Sequence, residues 1–164
     1  MRRSALIALL LLAGCGGVQG ASQFGEVPIV LPRETTANEV GVYFAIARGY
    51  DEAEGVELRP AAQGDFRITA SPPNGCVAVM AIVQPDKLVL CVDRVILDEE
   101  RDKVKAVAAA LARGYTQAQL EPDEAAAAAA NTNASAVEDA APTWTAGAKR
   151  FGELKPGPDR DPLY

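Results

Sequence analysis

The chain has 164 residues, 16 Lys+Arg against 22 Asp+Glu for a formal net charge of −6, and no histidine. Its length suits one domain. The 49% apolar content includes 31 alanines, which bury little surface each, so the core is modest. Without histidine, Ser-His-Asp and Cys-His nucleophiles, His-ligated zinc and an imidazole pH switch are excluded. The acidic balance shows no clustered cationic face of the kind that neutralises phosphates, which argues against a nucleic-acid partner.

Met1-Arg2-Arg3 gives a positive start, and Ala5 to Ala13 is an apolar run too short to span a bilayer but suited to a secretory signal. The run ends in Leu12-Ala13-Gly14-Cys15, which resembles a bacterial lipobox: small residues expose the backbone to a signal peptidase, and the Cys15 thiol can take a lipid. That resemblance implies a signal peptide over 1–14, acylation (palmitate-type) at Cys15 and a place on the extracytoplasmic face of the cell membrane. Loss of Arg2 and Arg3 would take the side-chain charge from −6 to −8. Stable anchoring needs two or more acyl chains. Residues 15–25, rich in Gly, Ser and Gln, read as a flexible tether.

Val27 to Leu31 then reads as a first strand closed by Pro32. Asn38 is a natural N-cap for a helix over Glu39 to Gly49, with Val40, Tyr43, Phe44 and Ala47 on one face. A second strand follows at Val56 to Leu58, before Pro60, making β-α-β. Gly64 to Thr69 alternates like a strand; Pro72-Pro73-Asn74-Gly75 breaks the chain; Cys76 to Val83 and Leu88 to Val92 are apolar strands. Cys76 and Cys91 read as buried thiols on neighbouring strands, with a disulfide as the alternative. Asp98 caps a helix to Gly114 whose buried stripe is Val104, Val107, Ala108 and Leu111. Pro122 opens an alanine helix to Ala130 with little to bury, a short helix covers 143–151, and prolines leave 155–164 a loose tail.

Three segments carry a resemblance. The first is Thr36 to Leu58, with its Asn-led helix, Gly49-Tyr50 and Glu54-Gly55-Val56. The second is Gly64-Asp65-Phe66-Arg67-Ile68-Thr69 with Val77 to Gln84. The third runs from Leu88 through Gly114-Tyr115 to Ala126, with Thr145 to Leu154 extending it. Together they resemble the solute-binding proteins of ABC importers for thiamine pyrimidine precursors, nitrate, sulfonates and taurine. The resemblance implies an α/β fold: a single, incomplete lobe of a periplasmic-binding-protein-like architecture over 26–154. Family members have two lobes; here the helix expected between Leu58 and Gly64 is absent, and Val83-Gln84-Pro85 joins almost directly to Lys87-Leu88, where the second lobe would be inserted.

On that resemblance the chain is a lipid-anchored, non-enzymatic binding component that delivers a small solute to an ABC permease, with no cofactor, metal or catalytic residue. The implied ligand-facing residues are Asn38, Glu39, Tyr43, Asp65 and Thr69. A helix N-terminus offers free N–H donors, Asn both donor and acceptor, and Tyr a flat face. Glu39 favours an amine or amidine over an anion, which points to a pyrimidine precursor or another nitrogenous solute. Each residue also has a plainer role, Asn38 as a cap, Tyr43 in packing and Asp65 in a turn. Trp144 reads as a core anchor rather than a stacking platform. The alternative for the whole is a degenerate surface lipoprotein that keeps the lobe as a scaffold and binds nothing, since one lobe lacks the opposing wall of a cleft.

Overall fold

The computed structural model describes residues 22–32, 39–83 and 88–132. In chain order these form β1 (Glu26–Val30), α1 (Val40–Ala47), α2 (Tyr50–Ala53), β2 (Glu57–Ala61), β3 (Phe66–Thr69), β4 (Cys76–Val83), β5 (Leu88–Asp93), α3 (Arg94–Glu99), α4 (Arg101–Leu120) and α5 (Pro122–Thr132). The five strands make one mixed sheet in the order β2-β1-β3-β5-β4. β1 pairs in parallel with both β2 and β3, and β5 runs antiparallel between β3 and β4. The protein is thus a mixed α/β domain. Asn38, Cys15, Trp144, the 143–151 helix and the 155–164 tail lie outside the described residues.

Alternation places Val27, Ile29, Leu58, Phe66, Ile68, Leu90 and Val92 on one face, where they meet Val42 of α1, Leu97 of α3 and Val104, Val107, Ala108 and Leu111 of α4 in a single apolar cluster. The stripe expected of the long helix is therefore its buried face. α1 is buried on more than the one face expected: Gly41, Val42 and Ala45 are covered as well as Val40, Tyr43 and Phe44, while Ala47 is exposed. A helix this apolar around its circumference is enclosed on several sides: Val42 joins the sheet-side core, and α4 and α5 pack against the rest.

Several expectations shift. The chain enters a helix at Asp93, whose Oδ1 accepts from the Val95 N–H at 2.9 Å. Asp98 lies inside α3, and a break at Glu100 separates α3 from α4. Both aspartates carry the cap chemistry; the one at the strand end is used. α4 passes through Gly114 to Leu120, because Gly114 serves a helix crossing rather than a stop. Pro60 sits inside β2, and since β2 is an edge strand its missing N–H breaks no inner ladder. Residues 22–25, placed in the tether by composition, form a turn joined to the body: Phe24 N–H donates to the Gly55 carbonyl at 2.9 Å.

Cys76 and Cys91 form a disulfide rather than two free thiols, with Cα atoms 5.6 Å apart. Cys91 pairs with Ala78, two residues along β4 from Cys76, so the bridge runs diagonally between adjacent strands. Two register shifts in β4, between Ala78 and Met80 and between Ala81 and Val83, accompany this arrangement. Val77, Val79, Met80 and Ile82 join the helix-side core, whereas Cys76, Ala78 and Ala81 group with Val89 and Cys91 in a cluster of their own.

β2 and β3 are joined by residues 62–65 alone, which must carry the chain across β1 because β2 and β3 flank it in parallel. The crossing stays short because Ala61 and Arg67 are both level with Val30. Gly64 lies so close to β1 that a Cβ there would stand 2.5 Å from the Pro28 carbonyl oxygen. Gly64→Ala is therefore expected to destabilise the fold by about 2 kcal/mol, an overpacking cost set by backbone that cannot swing aside. Urea unfolding checks this; an unchanged midpoint would mean the link does not lie on Pro28.

Candidate functional site

Glu39 begins α1 as its N-cap residue, without a side-chain cap hydrogen bond, and is fully buried. Tyr43, one turn on, is 6% exposed. The burial has a specific source. Val40, Tyr43 and Phe44 pack against Ala118 of α4 and Ala125 and Ala129 of α5. The alanine helix, expected to be weakly anchored, lies on α1, because small side chains at a four-residue spacing let two helices approach closely. Arg48, past the end of α1, lies over the Phe44 ring at 5.0 Å and pairs with Glu121 and Glu124 at the start of α5. These ion pairs are solvent-facing and contribute about 0–1 kcal/mol each.

α4 reaches α1 through glycines. A Cβ on Gly114 would stand 2.4 Å from the Gly41 carbonyl oxygen, and one on Gly41 would enter the Tyr115 ring. This close crossing brings Tyr115 beside Glu39 and Tyr43. Burial, then the Glu39 carboxylate, then Tyr43 hold the Tyr115 phenol well above the ordinary value of 10.0. The phenol ionises near pH 10 in the unfolded chain but stays neutral in the folded one, so its contribution is complete below that pH. It is lost as the pH climbs toward the folded value. Above pH ~10 this group should lower stability by up to about 1.4 kcal/mol per pH unit, and Tyr115→Phe should remove that slope. Urea unfolding of both proteins across the alkaline range measures the difference; equal slopes would place Tyr115 in water.

The other expected ligand groups lie elsewhere. Asp65 is exposed just before β3, while Thr69 ends that strand, so the two stand at opposite ends of a four-residue element. Thr69 pairs with Val89 and shares its sheet face, the side opposite the helix-side core that includes Ile68 and Leu90. Thr69 Oγ1 is engaged locally, accepting from the Ser71 N–H at 3.1 Å. Of the expected residues, then, Glu39 and Tyr43 come together on the helix side, and Asp65 and Thr69 join neither them nor each other. Tyr115, which completes the polar cluster, stood in the sequence reading only in Gly114-Tyr115, just past the expected end of the helix. Its spacing of four from Leu111 is the signal that would have extended the buried stripe to it, but nothing local pairs it with Glu39.

A surface cavity of about 370 Å³ lies at the start of α4, lined by Phe24 and by Asp98 to Lys103. It is separated from Tyr115 by roughly 20 Å along the helix. Its charges are explained by local pairing, Lys103 with Glu100 and Lys105 with Asp102, and by the preference for acidic groups at a helix start. Among the described residues no three His, Cys, Asp or Glu side chains gather as a metal site requires, and no helix is long and apolar enough to cross a membrane. The chain matches no family model and no curated protein, so its established classification is that of a mixed α/β domain.

Proposed function

We propose that the chain is an acyl-anchored, extracytoplasmic lipoprotein whose solute-binding-protein-like lobe serves as a scaffold rather than as a small-solute receptor. The observation that carries this reading is that Tyr43 lies beneath α4 and α5 and Glu39 is fully buried near Tyr115, with Asp65 and Thr69 displaced from them. A ligand cleft must present its polar groups to an opening, and one lobe offers no opposing wall. β4 and β5 are adjacent and antiparallel across only four intervening residues, the place where the resembled family carries its second lobe.

One observation favours the importer reading as a second possibility. α5 buries mainly alanine against α1 and is otherwise held by exposed ion pairs, so it is an element that opens at low cost. Opening would uncover Tyr43, one turn from Glu39, to a nitrogenous solute, which an ABC permease would then receive. Thermal unfolding against thiamine pyrimidine precursors, simple amines, nitrate and sulfonates separates the two, because a ligand that binds only the folded state raises its melting temperature. The scaffold reading expects no shift with any of them; a shift that Glu39→Gln abolishes would replace it with the importer reading. Anchoring is tested independently: Cys15→Ser should move the chain from the membrane fraction to the soluble one.

A further inference from the structure

The sheet has two faces, and every described helix residue of the main core packs on one of them. On the other face, Cys76, Ala78, Ala81, Val89 and Cys91 form a cluster drawn only from β4 and β5. Val89 is nevertheless 6% exposed and Cys91 fully buried. Neighbours within the sheet do not explain this. Arg67 and Thr69, opposite Cys91 and Val89 on β3, flank the patch in the plane of the sheet, and no described side chain from outside β4 and β5 joins the cluster. The β4–β5 pair is antiparallel, so this face could have met water as a polar one; instead it carries Cys, Ala and Val side chains that are buried, which requires a covering layer.

We infer that residues 133–164 dock on this second face, over the Cys76–Cys91 disulfide, with Trp144 as the anchor. The described chain stops at Thr132, leaving 32 residues that hold the protein's one tryptophan together with Phe151 and Leu154. The other segments outside the described residues are too short. Residues 33–38 and 84–87 number six and four, and, on the lipoprotein reading proposed above, cleavage before Cys15 leaves seven residues ahead of Ser22. Even at a helical rise, 32 residues cover roughly 48 Å, enough to pass from α5 around the sheet edge. The patch suits such an anchor because its alanines leave room beside the bridge for one large flat side chain. Toward β2 the same face turns charged, with Arg59 between Glu26 and Glu57, so docking is confined to the β3-β5-β4 side.

Two measurements on the full oxidised chain test this. Trp144 should emit to the blue of the guanidinium-unfolded chain and be quenched by acrylamide several-fold less efficiently; emission and quenching equal to those of the unfolded chain would overturn the inference. A photo-crosslinking phenylalanine analogue in place of Arg67, at the half-buried rim of the patch, should crosslink within one molecule to peptides from 133–164. Crosslinks to residues 15–21, crosslinks to a second copy, or none at all would overturn it. Neither readout depends on solute binding, so a positive ligand panel would leave this result standing, and a failure here would leave the lipoprotein reading standing.

Discussion

Gly41→Ala is expected to lower the unfolding free energy by about 3 kcal/mol, the upper end of overpacking costs. Intrinsic propensity argues the other way, since alanine in a helix interior is favoured over glycine by about 1 kcal/mol. Packing decides the sign. A Cβ at position 41 would stand 2.3, 2.4 and 2.6 Å from Cδ1, Cγ and Cε1 of Tyr115. Cγ is tied directly to the Tyr115 Cβ, so the ring cannot turn away as the end of a flexible side chain would, and Tyr115 is 3% exposed with no free space to enter. Gly114→Ala meets the same crossing from the other helix, against the Gly41 carbonyl and the Ala45 Cβ. Urea unfolding gives the cost of each change, and a double-variant cycle of Gly41→Ala with Tyr115→Ala should recover part of it, because the two residues share one space. A Gly41→Ala protein as stable as its parent would mean that α1 and α4 cross farther apart than described.

Reduction of the Cys76–Cys91 bridge should also cost about 3 kcal/mol, the loop-closure value for a separation of this order. The two cysteines are 15 residues apart. Native pairing of β4 with β5 persists without the bridge because Val77, Val79, Met80 and Ile82 remain in the helix-side core. The loss therefore arises mainly in the unfolded chain, which gains freedom between the two strands. Unfolding midpoints with and without reductant measure it, and Cys76→Ala with Cys91→Ala should match the reduced parent. Equal midpoints for oxidised and reduced chains would mean that the bridge adds no stability.

Elements with strong local chemistry were legible before any coordinates. The apolar run at Cys76 to Val83 became β4 without change, and the 3.6-residue spacing of Val104, Val107, Ala108 and Leu111 marked the buried face of α4. Boundaries failed where two residues offered the same signal. Asp93 and Asp98 are both competent caps, and Gly114 resembles a helix stop until the neighbour that needs its missing Cβ is known. Pro60 looked like a strand end because a proline's tolerance depends on whether its strand is at an edge, which is a property of the sheet.

The candidate site divides in the same way. Composition and local pattern by themselves determined the absence of histidine chemistry, the acidic charge and the α/β character, because each depends on residue type or on short-range order along the chain. The grouping of Glu39 with Tyr115, the separation of Asp65 and Thr69 from both, the diagonal disulfide and the seat of α5 on α1 were decided only by tertiary structure. These depend on strand order, register and the distance at which two helices cross. Such quantities are set by the sum of many weak contacts between distant segments, and no local pattern encodes that sum.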